Sequence, residues 1–169
     1  MKGLQIKAIL TGLLCLAFMI SSVQAADYKD WIPMLPESIG GQQKVGEPSG
    51  ANMESNGKSW STIEQKYSDG SGESVTLTIV SGIVAPQVQQ FQSMQQFSME
   101  TENKLVETLQ VSGNDAVLEL YKDGGKGTLL VAPRQTTLVI IETSSAESKE
   151  ELISLADDVP FYDFSATAE

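Results

Sequence analysis

The sequence predicts an α+β domain: an antiparallel β-sheet of about six strands with two amphipathic helices packed on one of its faces. Three observations carry this expectation. Short runs of period two recur between clusters of Gly, Asn and Asp, two longer stretches repeat near the helical period, and no strand–helix–strand alternation long enough for a parallel sheet occurs.

The strands come in order. Trp60, Thr62, Glu64 and Lys66 alternate with Ser61, Ile63, Gln65 and Tyr67, and Asp69-Gly-Ser-Gly72 then turns the chain into Ser74–Val80, where Val75, Leu77 and Ile79 alternate with threonines. This pair reads as a β-hairpin. Lys104–Val111, Ala116–Lys122, Thr128–Ala132 and Thr136–Thr143 follow, separated by turns at 112–115, 123–127 and 133–135. Loops this short imply antiparallel neighbours. Thr137–Ile141 is apolar on both faces and reads as a central strand.

Two helices complete the layout. Pro86 opens the first, expected over Gln87–Met99, whose Val88, Phe91, Met94 and Phe97 make one apolar stripe, with Val84 just upstream, against a glutamine-rich face. A stripe at this spacing is expected to be core. In the second, Leu152, Leu155, Ala156 and Val159 follow i, i+3, i+4, i+7, with Ser148 and Glu151 as a capping box and Pro160 as the stop. Phe161-Tyr-Asp-Phe164 is expected to fold back as an aromatic clasp.

The domain organisation begins with an export signal. Lys2 and Lys7 precede a 13-residue apolar run, Ala8–Ile20, and Val23-Gln24-Ala25 offers the small residues that a signal peptidase needs. Cleavage is expected after Ala25, leaving residues 26–169 as a single periplasmic or secreted domain with no membrane anchor. Its first part, residues 26–56, is turn-rich, with a helical turn expected near Tyr28–Ile32 and an extended piece near Gln42–Val45.

Composition excludes whole classes of function. The 169 residues contain no histidine, and the one cysteine, Cys15, lies in the signal. A Ser-His-Asp or Cys-His nucleophile therefore cannot be assembled, and the usual ligands for zinc or a transition metal are missing. No cofactor is expected. The formal charge is −11; because all 22 acidic residues but only nine of the 11 basic ones follow Ala25, the trimmed chain stands at −13. Such a field repels nucleic acid.

Apparent motifs fail on their context. Gly57-Lys58-Ser59 mimics the end of a phosphate loop, but Asn52 occupies the first glycine position and no helix follows. Ser55-x-x-Lys58 and Ser112-x-Asn114 imitate serine-acylase motifs, yet Asn56-Gly57 marks a turn where a helix would be needed. Asp69, Ser71 and Glu73 space oxygens as a calcium loop does, but Val80 stands where the closing carboxylate belongs, so only a weak surface calcium site is conceivable there. Glu64, Glu119 and Glu142 are the carboxylates that could meet across strands.

Leu35-Pro36-Glu37-Ser38-Ile39-Gly40-Gly41 resembles the opening of a set of uncharacterised bacterial exported proteins, which continue with a hairpin bearing Tyr-x-Asp-Gly, here Tyr67-Ser68-Asp69-Gly70. The element order is also similar to the PsbP/Mog1-like fold, an antiparallel α/β/α sandwich used in accessory and partner-binding roles. The resemblance implies no catalytic residue.

The expected function is binding without catalysis, to another envelope protein, with Tyr28, Trp31 and Trp60 as candidate contact residues because aromatics contribute disproportionately to interfaces. One alternative is a carrier of a small apolar ligand between the sheet and helix 87–99. Another is a hydrolase built on carboxylates alone.

Overall fold

The computed structural model describes residues 26–166. The export signal read at residues 1–25 lies outside them. Among the described residues, one nine-stranded sheet organises the chain, and every pair of neighbouring strands is antiparallel. In chain order these are β1 (Ser38–Ile39), β2 (Gln42–Ser55), β3 (Lys58–Ser68), β4 (Ser74–Ser81), β5 (Met99–Glu100), β6 (Lys104–Val111), β7 (Asn114–Tyr121), β8 (Gly127–Arg134) and β9 (Thr137–Thr143). They stand side by side as β1-β2-β3-β4-β9-β8-β7-β6-β5. Two meanders therefore meet where the last strand, β9, pairs with β4.

All six expected strands are present, and three more raise the count to nine. Two of these, β1 and β5, are two-residue strands at the sheet margins. The third is β2, the longest strand at 14 residues, which begins with the extended piece expected at Gln42–Val45 and runs on to Ser55 through a segment expected to be turn-rich. Its Gly46 and Pro48 are accommodated because the register with β3 breaks between Val45 and Ser49, a bulge that removes the proline from the ladder.

Helices lie on both faces of the sheet rather than on one. β7, β8 and β9 are apolar on both sides: Leu118, Leu129, Val139 and Ile141 belong to one core cluster, Val117, Leu130 and Leu138 to another. Each face must then be covered to keep these side chains from water. α1 (Tyr28–Trp31), α3 (Lys149–Ser154) and α4 (Phe161–Ala166) close the larger cluster, while α2 (Pro86–Met94) closes the smaller one. The path explains the division. The chain must travel from β4 in mid-sheet to β5 at the far margin, and α2 makes that crossing over Val80, Leu138, Leu130, Val117 and Val106.

α2 ends at Met94, short of the expected Met99. Val88 and Phe91 are buried and Met94 is half-buried, as the stripe requires, but Phe97 lies beyond the helix and is exposed. With only nine residues and no side-chain cap at Ala85, this helix is held by packing, at roughly 1.5–3 kcal/mol for each buried side chain. α3 is capped as expected: the Ser148 hydroxyl accepts from the Glu151 N–H at 3.1 Å, while the Glu151 carboxylate reaches back to the Glu147 N–H at 2.9 Å. The helix tightens into a 3-10 turn over Leu155–Asp158. Past Pro160, α4 buries Phe161 and Phe164 and leaves Tyr162 in solvent.

The segment before β2 is part of this core. Trp31, Leu35 and Ile39 are buried in the larger cluster. The Gly40 N–H donates to Asp158 Oδ2 at 2.8 Å, and a Cβ on Gly40 would stand 2.5 Å from Leu155 Cδ2. Glycine is needed there for close approach and for its φ of +58°.

Tyr67, also fully buried, donates its hydroxyl to the Pro36 carbonyl at 3.0 Å. Burial, reinforced by the nearby charge of Glu37, pushes its pKa well above the ordinary 10.0. The unfolded chain releases this proton near pH 10, while the folded chain retains it. The associated stability is fully present below pH 10 and is lost as pH rises towards the folded pKa. Tyr67→Phe should therefore cost about 1 kcal/mol at neutral pH, for the lost hydrogen bond. It should also flatten the stability loss between neutrality and about pH 11, measured by urea denaturation at both ends.

Candidate functional site

The three aromatic residues singled out from the sequence do not converge. Trp31 is 0% exposed and cannot touch a partner without unfolding. Tyr28 is half-buried, with its ring lying against Gly50 so closely that a Cβ there would fall inside it. Trp60 is half-buried against the smaller cluster, on the opposite face of the sheet. Both partly exposed rings are used in packing.

Asn52 fixes the α1 end of the molecule to β2. Its Oδ1 accepts from the Tyr28 N–H at 3.2 Å and the Ser61 hydroxyl at 2.8 Å, and its Nδ2 donates to Asp27 Oδ1 at 3.0 Å. Asp27 in turn caps α1 by accepting from the Lys29 N–H at 3.0 Å. The Asn52 hydrogen bond, followed by that of Lys29, holds the Asp27 carboxyl below its usual range.

This arrangement leaves one sheet edge open. β1 pairs only with Gln42 and Gln43, so no strand among the described residues borders the outer edge of β2 from Ser49 to Ser55. The first four side chains there are small or polar, Ser49-Gly-Ala-Asn52, Met53, Glu54 and Ser55 follow, and no proline or lysine between 49 and 55 hinders strand addition. The opposite margin is guarded. β5 pairs with β6, the Thr108 hydroxyl donates to the carbonyls of Gln95 and Phe97, and Lys149 holds Glu107 through both carboxylate oxygens at 2.7 Å.

The other candidates are placed as follows. Asp69 Oδ1 accepts from the Ser71 N–H at 2.7 Å and the Glu73 N–H donates to Ser71 Oγ at 3.5 Å, so the hairpin tip bonds to itself. Hydrogen bonding to Ser71 keeps the Asp69 carboxyl below its usual range. Among the described residues, no group of three or more His, Cys, Asp or Glu gathers as a metal centre would require. Asp69, Ser71 and Glu73 form an Asx-type turn.

Glu64, Glu119 and Glu142 do share a face, the one that carries α2. The registers place Thr78 beside Glu64, and Thr76 and Thr128 on either side of Glu142. Glu119 is taken by Lys104 at 2.7 Å, and the same ammonium lies 5.1 Å from the Tyr121 ring centroid. The hydrogen bond that Lys104 donates to Glu119 raises the Lys104 pKa.

Between α2 and the sheet, Val88 and Phe91 fill the space against Val80, Val117, Leu130 and Leu138. A groove of about 470 Å³ opens at the margin of this layer, walled by Gln92, Gln95, Asp115, Arg134 and Gln135 together with Phe91. Its walls are polar. A second cleft, of about 500 Å³, lies at the end of the sheet between the β6–β7 turn and α4. Sequence reasoning missed both clefts and the open edge. The clefts are made by residues distant in the chain, and the edge by the lack of a neighbouring strand among the described residues, so neither leaves a local signal.

Residues 47–159 match the family described as a domain of unknown function (DUF4367), and the chain belongs to that family. The match begins within the bulge of β2, takes in its open edge and ends at Val159, before α4. No curated protein and no solved structure matches the chain.

Proposed function

We propose that the chain is an exported, non-enzymatic domain that binds another envelope protein, and that the partner adds a strand to β2. The observation that carries this reading is the contrast between the two margins of the sheet. At one margin a two-residue strand, the Thr108 hydroxyl and the Lys149–Glu107 ion pair engage β6 as far as Thr108; at the other, no strand among the described residues borders the outer side of β2 from Ser49 to Ser55. Unpaired N–H and C=O groups on an edge are a template for an extended segment of another chain. The Asn52 network adds preorganisation, because it fixes α1 beside this edge before any partner arrives.

Absence of histidine and the engagement of Glu119 by Lys104 support binding over turnover. Helices on both faces of one antiparallel sheet support the likeness to PsbP/Mog1-like sandwiches. The apolar run at 8–20 and the small residues before Ala26 support export, with a mature chain beginning at Ala26. Among the described residues, no helix is long and apolar enough to cross a membrane.

A photo-crosslinking residue placed at Ala51 in the full-length protein, expressed in its own host, tests the reading. One discrete protein adduct is expected from Ala51 and none from Gln110, an exposed position on β6 near the other margin. Equal labelling from both positions, or no adduct from Ala51, would overturn it.

A further inference from the structure

We propose that the cleft at the end of the sheet binds a neutral, hydroxyl-rich small molecule of the saccharide class. This goes beyond the reading above, since the cleft does not include the β2 edge.

Three observations meet there. The first is size: about 500 Å³ falls within the roughly 300–1,000 Å³ of small-molecule sites. The second is an aromatic with no packing role. Within α4, Phe161 and Phe164 are buried, while Tyr162, between them in sequence, is 82% exposed and stands at the wall of the cleft. A tyrosine ring combines an apolar face with a polar tip, which suits the C–H face and the hydroxyl rim of a sugar ring.

The third observation is a residue in a conformation that suits others better. Asn56-Gly57 (φ +54° and +72°) and Ser112-Gly113 (φ +50° and +78°) are two hairpin turns of the same kind. The first position of such a turn favours Asn, Asp or Gly. The β2–β3 turn follows that preference, and the β6–β7 turn, whose first residue lines the cleft, places a serine hydroxyl there instead. Strained positions of this kind concentrate where a side chain is needed for a ligand.

The lining decides the ligand class. Ser112 offers a hydroxyl that donates and accepts. Asn114 has its Nδ2 fixed on the Val111 and Ser112 carbonyls, at 3.3 and 3.2 Å, so that its Oδ1 is the acceptor it presents. Asp157 adds a carboxylate, and the Pro160 ring an apolar wall; no lysine or arginine lines the cleft. Phosphorylated or carboxylated ligands would meet Asp157 and the acidic field of the chain unpaired. A neutral polyol meets acceptors, a hydroxyl and a ring.

The test is a titration of the 15N-labelled mature chain, followed by two-dimensional NMR, with neutral di- and trisaccharides and with their phosphorylated counterparts. At least one neutral sugar is expected to give saturable shifts at Ser112, Asn114, Asp157 and Tyr162. Tyr162→Ala should weaken that binding by roughly tenfold or more with little change in Tm, because the ring is already in solvent. Ser112→Asn, which copies the sister turn, should raise Tm and still weaken binding. The proposal is overturned if no neutral sugar shifts these residues, if only the phosphorylated forms do, or if Tyr162→Ala leaves the affinity unchanged.

Discussion

Gly82→Ala is expected to lower the unfolding free energy by about 3 kcal/mol or more, the sum of a strained backbone and an overfilled site. Gly82 follows β4, is buried, and has φ +134°, a conformation that side-chain-bearing residues rarely adopt. Its N–H donates to the Thr136 carbonyl at 2.8 Å and its carbonyl accepts from the Ala85 N–H at 2.9 Å, so the backbone there cannot rotate without breaking the entry to α2. An added Cβ would stand 2.5 Å from Trp60 Cβ and 2.8 Å from both the Ser59 carbonyl oxygen and Trp60 Cα. Two of those three atoms are main chain of β3, which is paired with β2 on one side and β4 on the other, and they cannot give way cheaply. Urea denaturation followed by tryptophan fluorescence measures the loss. A change below about 1 kcal/mol would mean that the chain leaves β4 by a different path.

Trp31→Ala should cost about 3–5 kcal/mol, the range for emptying a fully buried aromatic site. Trp31 ends α1 and is 0% exposed within the cluster that also holds Leu35, Ile39 and Phe164. Against a total of roughly 5–15 kcal/mol, this is enough to leave the N-terminal segment partly detached. Trp60 remains as the fluorescent reporter for the same urea experiment. If the variant kept its midpoint, Trp31 would be a surface contact residue, as a reading from residue type suggests, and the packing described here would be wrong.

The six strands were legible because their alternation is forced by the sheet they build. Val75, Leu77 and Ile79 all point into one cluster, and Thr76 and Thr78 point away. β2 was illegible beyond the extended piece at Gln42–Val45 for the converse reason. At the edge, with Val45 52% exposed and Ala51 in solvent, it has no apolar stripe to reveal a period of two, and Gly46, Pro48 and Gly50 are turn formers wherever they occur. Thr137–Ile141 announced a strand needing cover on both faces, but nothing local says which helix covers which face; that follows from the crossing between β4 and β5. The roles of Trp31 and Trp60 were likewise hidden. A spacing of four that places Trp31, Leu35 and Ile39 together is the signal that could have marked the first as core.

The candidate sites were the least legible part. An open edge is a property of what fails to pair with it, and the cleft joins Ser112, Asp157 and Tyr162 from three separate elements. Neither leaves a local pattern. What could be read was composition: no histidine occurs in the chain and no cysteine after Cys15, and the expectation of binding without catalysis rests on that.

Hydrogen exchange of the protein, alone and saturated with the partner captured through Ala51, tests the central claim most directly. Strand addition at β2 predicts slowed exchange concentrated in the amides of Ser49–Ser55, with the β6 margin unchanged. Protection that spares Ser49–Ser55 and appears elsewhere would contradict it.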